Sequence, residues 1–203
     1  MTGFWIIRHA LVDEAWRSVL YGTMDVGLCE QTVVDQRPLY HALAGTLPRK
    51  ASWIITPLKR TRQTAEAIQR AGYGDVPMQV EPELIEQNMG AWTGLSHDQL
   101  PSKLQHPKHP FWPLAAHERP PGGESMNEVI TRVGGAMDRL ATVHAHEDVV
   151  IVSHGGSIRA AVAHAIRVSG DNALHPSVQN VSLTRMERLP EGWRVVAVNQ
   201  MVV

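Results

Sequence analysis

Phe4-Trp5-Ile6-Ile7-Arg8-His9-Ala10 is an apolar run that stops at a cation and an imidazole. Residues 4 to 8 read as a short strand covered on both faces, because an unbroken apolar run bounded by a polar break suits burial on two sides. Val149-Val150-Ile151-Val152-Ser153 repeats the pattern and also runs into a histidine, His154. Ser52-Trp53-Ile54-Ile55 is a further strand and Met78-Gln79-Val80 a weaker one. Ligands of open parallel sheets bind beyond the carboxyl ends of the strands, where Arg8, His9 and His154 would then stand.

Helical patterns fill the intervals. Leu39, Leu43 and Leu47 recur every fourth residue, and Pro38 suits a first helical turn, so a helix over Cys29–Asp35 would be broken there. Thr56-Pro57 reads as N-cap and first residue of the next helix, with Gly72 as its stop and Arg60 in its first turn. Ser125-Met126-Asn127-Glu128 is a capping box, followed by an apolar face of Val129, Ile130, Val133, Met137 and Leu140. His154-Gly155-Gly156-Ser157 leads into a helix with Ile158, Ala161, Val162, Ala165 and Ile166 inward and Gly170 as its stop. Residues 178–186 and 193–202 alternate around the Pro190-Glu191-Gly192 turn and predict a hairpin. The expected fold is α/β: a three-layer sandwich, a mostly parallel sheet with helices on both faces and an antiparallel C-terminal edge hairpin. One domain, residues 1–203, is expected, with an irregular cap at about 97–121 rich in His and Pro; such long irregular segments are often binding loops.

Composition narrows the function. The 203 residues carry 19 Lys and Arg against 20 Asp and Glu, a net charge of −1, so no basic field is available for nucleic acid or an anionic membrane. A single cysteine, Cys29, forms neither an intrachain disulfide nor a thiolate zinc cluster. No apolar stretch approaches the roughly 20 residues that span a bilayer, and the start of the chain lacks the basic region of a signal peptide. A soluble cytoplasmic protein is the expectation, with oligomeric state open and a homodimer one option.

Four signals could carry chemistry: Arg8-His9, Arg60, Glu86 in a Gly/Trp loop, and His154-Gly155-Gly156. Taken singly, each is more often a solvated side chain or a satisfied strand-end residue. A parallel sheet makes them one group, since both histidines and Arg60 gather at one rim. Two helix N-termini, near Pro57 and Gly156, aim free N–H groups at the same place. The glycines after His154 allow close backbone approach. The result is a pocket for a dianion with a histidine at its floor.

These segments, Ile-Ile-Arg-His-Ala, Pro-Leu-Lys-Arg-Thr-Arg-Gln-Thr-Ala, the Glu86 loop, Pro-Gly-Gly-Glu-Ser and Val-Ser-His-Gly-Gly-Ser-Ile-Arg-Ala, resemble the histidine phosphatase superfamily, the phosphoglycerate-mutase-like group. The resemblance implies a phosphomonoester hydrolase acting on a small phosphorylated metabolite through a phosphohistidine, without metal or other cofactor. Carried over, His9 is the nucleophile; Arg8, Arg60 and His154, with Gly155, hold the phosphoryl oxygens; Glu86 is the proton donor and then the base for water. Arg62 is the nearest decoy for Arg60, but on a helix it projects about 200° away.

Departures and rivals remain. Ala10 stands where members often have Gly, Ala15 where many have a phosphate-binding Asn, and Cys29 where a capping Ser is common; the turn Tyr21–Thr23 is a candidate replacement for the Asn contact. Tyr21, Trp92 and Trp112 are expected on the substrate side, where His, Lys108 and Arg119 suit a polar or anionic leaving group. The tryptophans read equally as packing. Eleven histidines raise a metal site, but Arg8 and Arg60 would repel a divalent cation. A cofactor-dependent phosphoglycerate mutase is the rival within the family; this chain is shorter and lacks the Asn. A non-catalytic phosphate-ligand binding module is the rival of another class, and a pure binder has no use for Glu86.

Overall fold

The computed structural model describes residues 1–202. In chain order it contains β1 (Thr2–Arg8), α1 (Glu30–Asp35), α2 (Arg37–Thr46), β2 (Ala51–Ile55), α3 (Lys59–Ile68), β3 (Met78–Val80), α4 (Met126–Val143), β4 (Asp148–Ser153), α5 (Gly155–Ile166), α6 (Gly170–Ala173), β5 (Leu183–Leu189) and β6 (Gly192–Gln200). The six strands form one sheet in the order β3-β2-β4-β1-β5-β6. β3, β2, β4 and β1 run parallel, while β5 pairs antiparallel with both β1 and β6. The expected α/β architecture is what the chain adopts.

Alternation along the central strands divides the core in two. Phe4, Ile6, Val149 and Ile151 face α4 and α5, whereas Ile7, Trp53, Val150 and Val152 face α2 and α3. Successive strand side chains point to opposite faces, so both faces need apolar residues and the strands read as unbroken runs. Each fully enclosed Val or Ile contributes roughly 1.5–3 kcal/mol. A third, smaller cluster of Leu20, Met89, Trp92, Leu100 and Leu114 lies beneath residues 97–121.

Register places the site. Arg8 pairs with Ser153 and Ile55 with Val152, so three adjacent strands end level and His9, Thr56 and His154 follow at one rim.

Several boundaries differ from expectation, each for a local reason. α3 is capped by Leu58 and starts at Lys59, two residues later than Thr56-Pro57 suggests, because the Thr56 hydroxyl is engaged with His154 (2.9 Å). Its α-helical hydrogen bonding ends at Ile68 and a wider turn, Gln69–Tyr73, carries the chain on to Gly72 at φ 117°. α5 stops at Ile166 with Arg167 left-handed at φ 57°, and Gly170 begins α6 instead of ending α5. Ile166 is exposed, so it does not belong to the inward face. The hairpin's first strand begins at Leu183, because residues 178–181 are committed to β1: Val181 N–H donates to the Arg8 carbonyl (3.0 Å) and Arg8 Nη1 to that of Val178 (2.6 Å). The capping box forms as read, with Ser125 and Glu128 bonding each other's backbone. α1 and α2 are separate, joined at Gln36 with Pro38 in the first turn of α2.

Candidate active site

His9 and His154 face each other with ring centroids 5.2 Å apart. His9 is pinned at its backbone: its N–H donates to the Ser153 carbonyl (2.9 Å), and the His9 carbonyl accepts from Asn180 Nδ2 (2.8 Å). Its Nδ1 lies 2.7 Å from the Ala10 carbonyl. A carbonyl only accepts, so Nδ1 carries the proton and Nε2 keeps a lone pair. At His154 the order is reversed. Arg60 Nε donates to Nδ1 (3.3 Å), which leaves the proton on Nε2, 2.9 Å from Thr56 Oγ1. Thr56 Oγ1 in turn lies 3.2 Å from Thr61 Oγ1, which donates to the Leu58 carbonyl (2.8 Å). Both imidazoles are held well below the ordinary histidine pKa, first by burial and then by the Arg60 guanidinium.

The cations surround this pair. Arg60 is fully enclosed and donates from Nη1 to the Met24 carbonyl and from Nη2 to that of Gly22 (2.7 Å each), with Tyr21 against its guanidinium face (5.2 Å). Burial lowers its pKa, and Glu86 chiefly opposes that. Arg8 Nε is buried with no hydrogen-bond partner. A Cβ on Gly155 would sit 3.3 Å from that nitrogen. Glu86 is half-buried; Gln87 N–H donates to its Oε1 (2.9 Å) and Gly156 N–H, in the first turn of α5, to its Oε2 (3.1 Å). A helix N-terminus is a favourable seat for a carboxylate.

A cleft of about 130 Å³ borders this group, lined by Arg8 and Glu86 together with Tyr21 and Trp112. Arg8, His9, Arg60, Glu86, His154 and Gly155 are therefore brought together, as the sequence leads one to expect, and Tyr21 and Trp112 join them. Trp92 does not. It is 6% exposed and packs in the small cluster with Leu20 and Met89. Nor do Lys108 and Arg119 reach the cleft: Lys108 is exposed, and Arg119 bonds the Gly123 carbonyl (3.0 Å) and Glu128 (3.4 Å). Arg62 is exposed and away from the site, and Ala15 lies in an exposed turn, while the Gly22 carbonyl beside Tyr21 abuts Arg60. His9 is 1% exposed, more enclosed than a nucleophile facing an open gap.

Four residues were not legible. Thr56, Gln87 and Asn180 act here through contacts 25 to 171 residues away in sequence, such as Gln87 Oε1 accepting from Trp112 Nε1 (3.2 Å), and Arg159 is the fourth. Arg159 stacks on Trp112 (4.8 Å) and donates to the Gly155 carbonyl (3.1 Å); burial, with Arg8 adding, lowers it to about 10. Among the described residues no three His, Cys, Asp or Glu side chains gather as a metal-ligand set, and no helix is long and apolar enough to cross a membrane.

An α/β sheet that delivers two neutral imidazoles and two guanidiniums to one rim defines a phosphoryl-handling class of protein. The model of the histidine phosphatase superfamily (branch 1) matches residues 4–201, and the chain belongs to that family. It is 33% identical over 152 residues to a bifunctional protein of Mycobacterium tuberculosis, covering 73% of this chain but only 40% of that protein. It is 26% identical over 178 residues to a 2,3-bisphosphoglycerate-dependent phosphoglycerate mutase of Parvibaculum lavamentivorans, covering 83% of this chain and 82% of the mutase. Among solved structures, a mycobacterial glucosyl-3-phosphoglycerate phosphatase in complex with VO3 superposes with a TM-score of 0.79 at 26% identity, covering 98% of both chains.

Proposed function

We propose that the protein hydrolyses the phosphomonoester of a small metabolite through a phosphohistidine at His9. The observation that carries this reading is the ordered pair of imidazoles: the Nδ1 proton of His9 is fixed on the Ala10 carbonyl, leaving Nε2 as a neutral nucleophile beside Arg8, Arg60 and His154. Nε2 attacks phosphorus, the bond to the leaving oxygen breaks, and that oxygen takes a proton from the Glu86 carboxylic acid. Water then attacks the phosphohistidine and gives its proton to Glu86; the N–P bond breaks and inorganic phosphate leaves. Arg8 Nε, a buried donor without a protein acceptor, suits an equatorial phosphoryl oxygen. The enclosure of His9 adds a requirement: the groups packed around it must shift for phosphorus to reach Nε2.

The test is a phosphate-release screen over a panel of metabolite esters, with His9→Ala as control and an acid-labile phosphoryl label as the second readout. Hydrolysis and labelling that both vanish in His9→Ala are expected. No hydrolysis of any ester would leave a binding module, and conversion of 3-phosphoglycerate to its isomer with a bisphosphate primer would make the protein a mutase.

A further inference from the structure

Resting on the phosphatase reading, we infer that the leaving group is neutral and largely apolar, on the scale of one aromatic ring where it meets the protein. The walls of the cleft beyond the phosphoryl position are Val19, Leu20, Met89, Trp112 and Pro113, with Tyr21 and His97 completing the rim. Its charged lining consists of Arg8 and Glu86 alone, among the described residues. Arg8 belongs to the phosphoryl side, so the leaving group meets an acid and an apolar wall and no lysine or second arginine. Arg60, like Arg8, belongs to the phosphoryl side, and Arg159, 8% exposed, stacks on the Trp112 indole with Nε on the Pro176 carbonyl (2.9 Å) and Nη1 on that of Gly155. A carboxylate or second phosphate on the leaving group would lose its hydration in this cleft without gaining a charged partner, whereas an apolar ring loses nothing. The volume agrees. About 130 Å³ is close to the roughly 150 Å³ of a cavity known to take benzene. Trp112 is fixed for stacking by Gln87 and Arg159, on its edge and one face.

Two esters with the same leaving-group chemistry isolate the effect: benzyl phosphate and 4-carboxybenzyl phosphate, which differ by one carboxylate. For the protein as it stands, kcat/KM for benzyl phosphate should exceed that for the carboxylated ester at least tenfold. Val19→Arg, a change at the half-buried rim, should shrink the ratio to under threefold by supplying the missing cation. Equal or better turnover of the carboxylated ester by the unaltered protein would overturn the inference. So would hydrolysis confined to 3-phosphoglycerate or another anionic ester, which would leave the phosphatase reading intact. Absence of both hydrolysis and the phosphoryl label with every ester would instead remove that reading, and the inference with it.

Discussion

Gly156→Ala separates catalysis from folding at a single methyl group. Gly156 lies in the first turn of α5 with ordinary helical backbone, and its N–H holds Glu86 Oε2 at 3.1 Å. A Cβ built there would overlap Glu86 Oε1 and come within 3.4 Å of the Trp112 ring. The overlapped atom is the tip of a side chain, so the carboxylate moves aside by about 1 Å to regain normal contact and the backbone stays in place. Alanine in a helix is favoured over glycine by up to about 1 kcal/mol, which for a chain of this size is a rise of about 2–4 °C in Tm at most. Misplacement by about 1 Å can cost on the order of 10²-fold in rate, and complete loss of a general acid 10²–10⁴-fold. The loss should depend on how badly the leaving oxygen needs a proton. Alkyl phosphates should lose at least about 10²-fold in kcat/KM, and 4-nitrophenyl phosphate, whose phenolate departs unaided, much less. Thermal denaturation and steady-state kinetics on the two esters give the answer together. Equal loss on both, or full activity on the alkyl ester, would refute the assignment of Glu86 as proton donor; a large fall in Tm would show that the backbone, not the carboxylate, yields.

Thr56→Val removes the acceptor facing the His154 Nε2 proton while keeping the shape. The orphaned buried donor should cost about 1–3 kcal/mol in urea unfolding, with a fall in kcat that Thr56→Ser largely restores. Stability should also fall with acid. Burial holds both imidazoles neutral in the folded state, so their folded pKa lies below the unfolded value and the unfolded chain binds more protons as pH drops. Their contribution is complete above about pH 6.5 and is lost below it, at up to roughly 2.7 kcal/mol per pH unit for two protons. Urea midpoints at pH 7.5 and 5.5 should show this, and His9→Asn should remove about half of the slope; an unchanged slope would mean His9 titrates normally.

What the sequence revealed, and what it hid, follows from the range of the interactions. β1, β2 and β4 are legible because burial on both faces writes itself into consecutive residues, and level strand ends then put His9 and His154 together without knowledge of any side-chain contact. Arg60 was legible for the same reason: it is in the first turn of α3 even though the helix begins two residues later than its Thr-Pro signal. Trp92 and Trp112 carry no such mark. Trp92 ends a single 3-10 turn and Trp112 stands in irregular chain, and the packing of Leu100 and Leu114 against Trp92, with the hydrogen bond from Trp112 to Gln87, sends one inward and leaves the other on the cleft. Lys108 and Arg119 misled because composition counts charges without directions, and Arg119 is held by Glu128. Glu86 is the sharpest case. No local period singles it out from Glu81 or Glu83, which bind Arg139 at the surface; what distinguishes it is a backbone N–H on a helix 70 residues away. Residue 156 must lack a side chain to admit that carboxylate. Gly156, readable as mere backbone freedom after His154, is therefore the sequence trace of the seat of the Glu86 carboxylate.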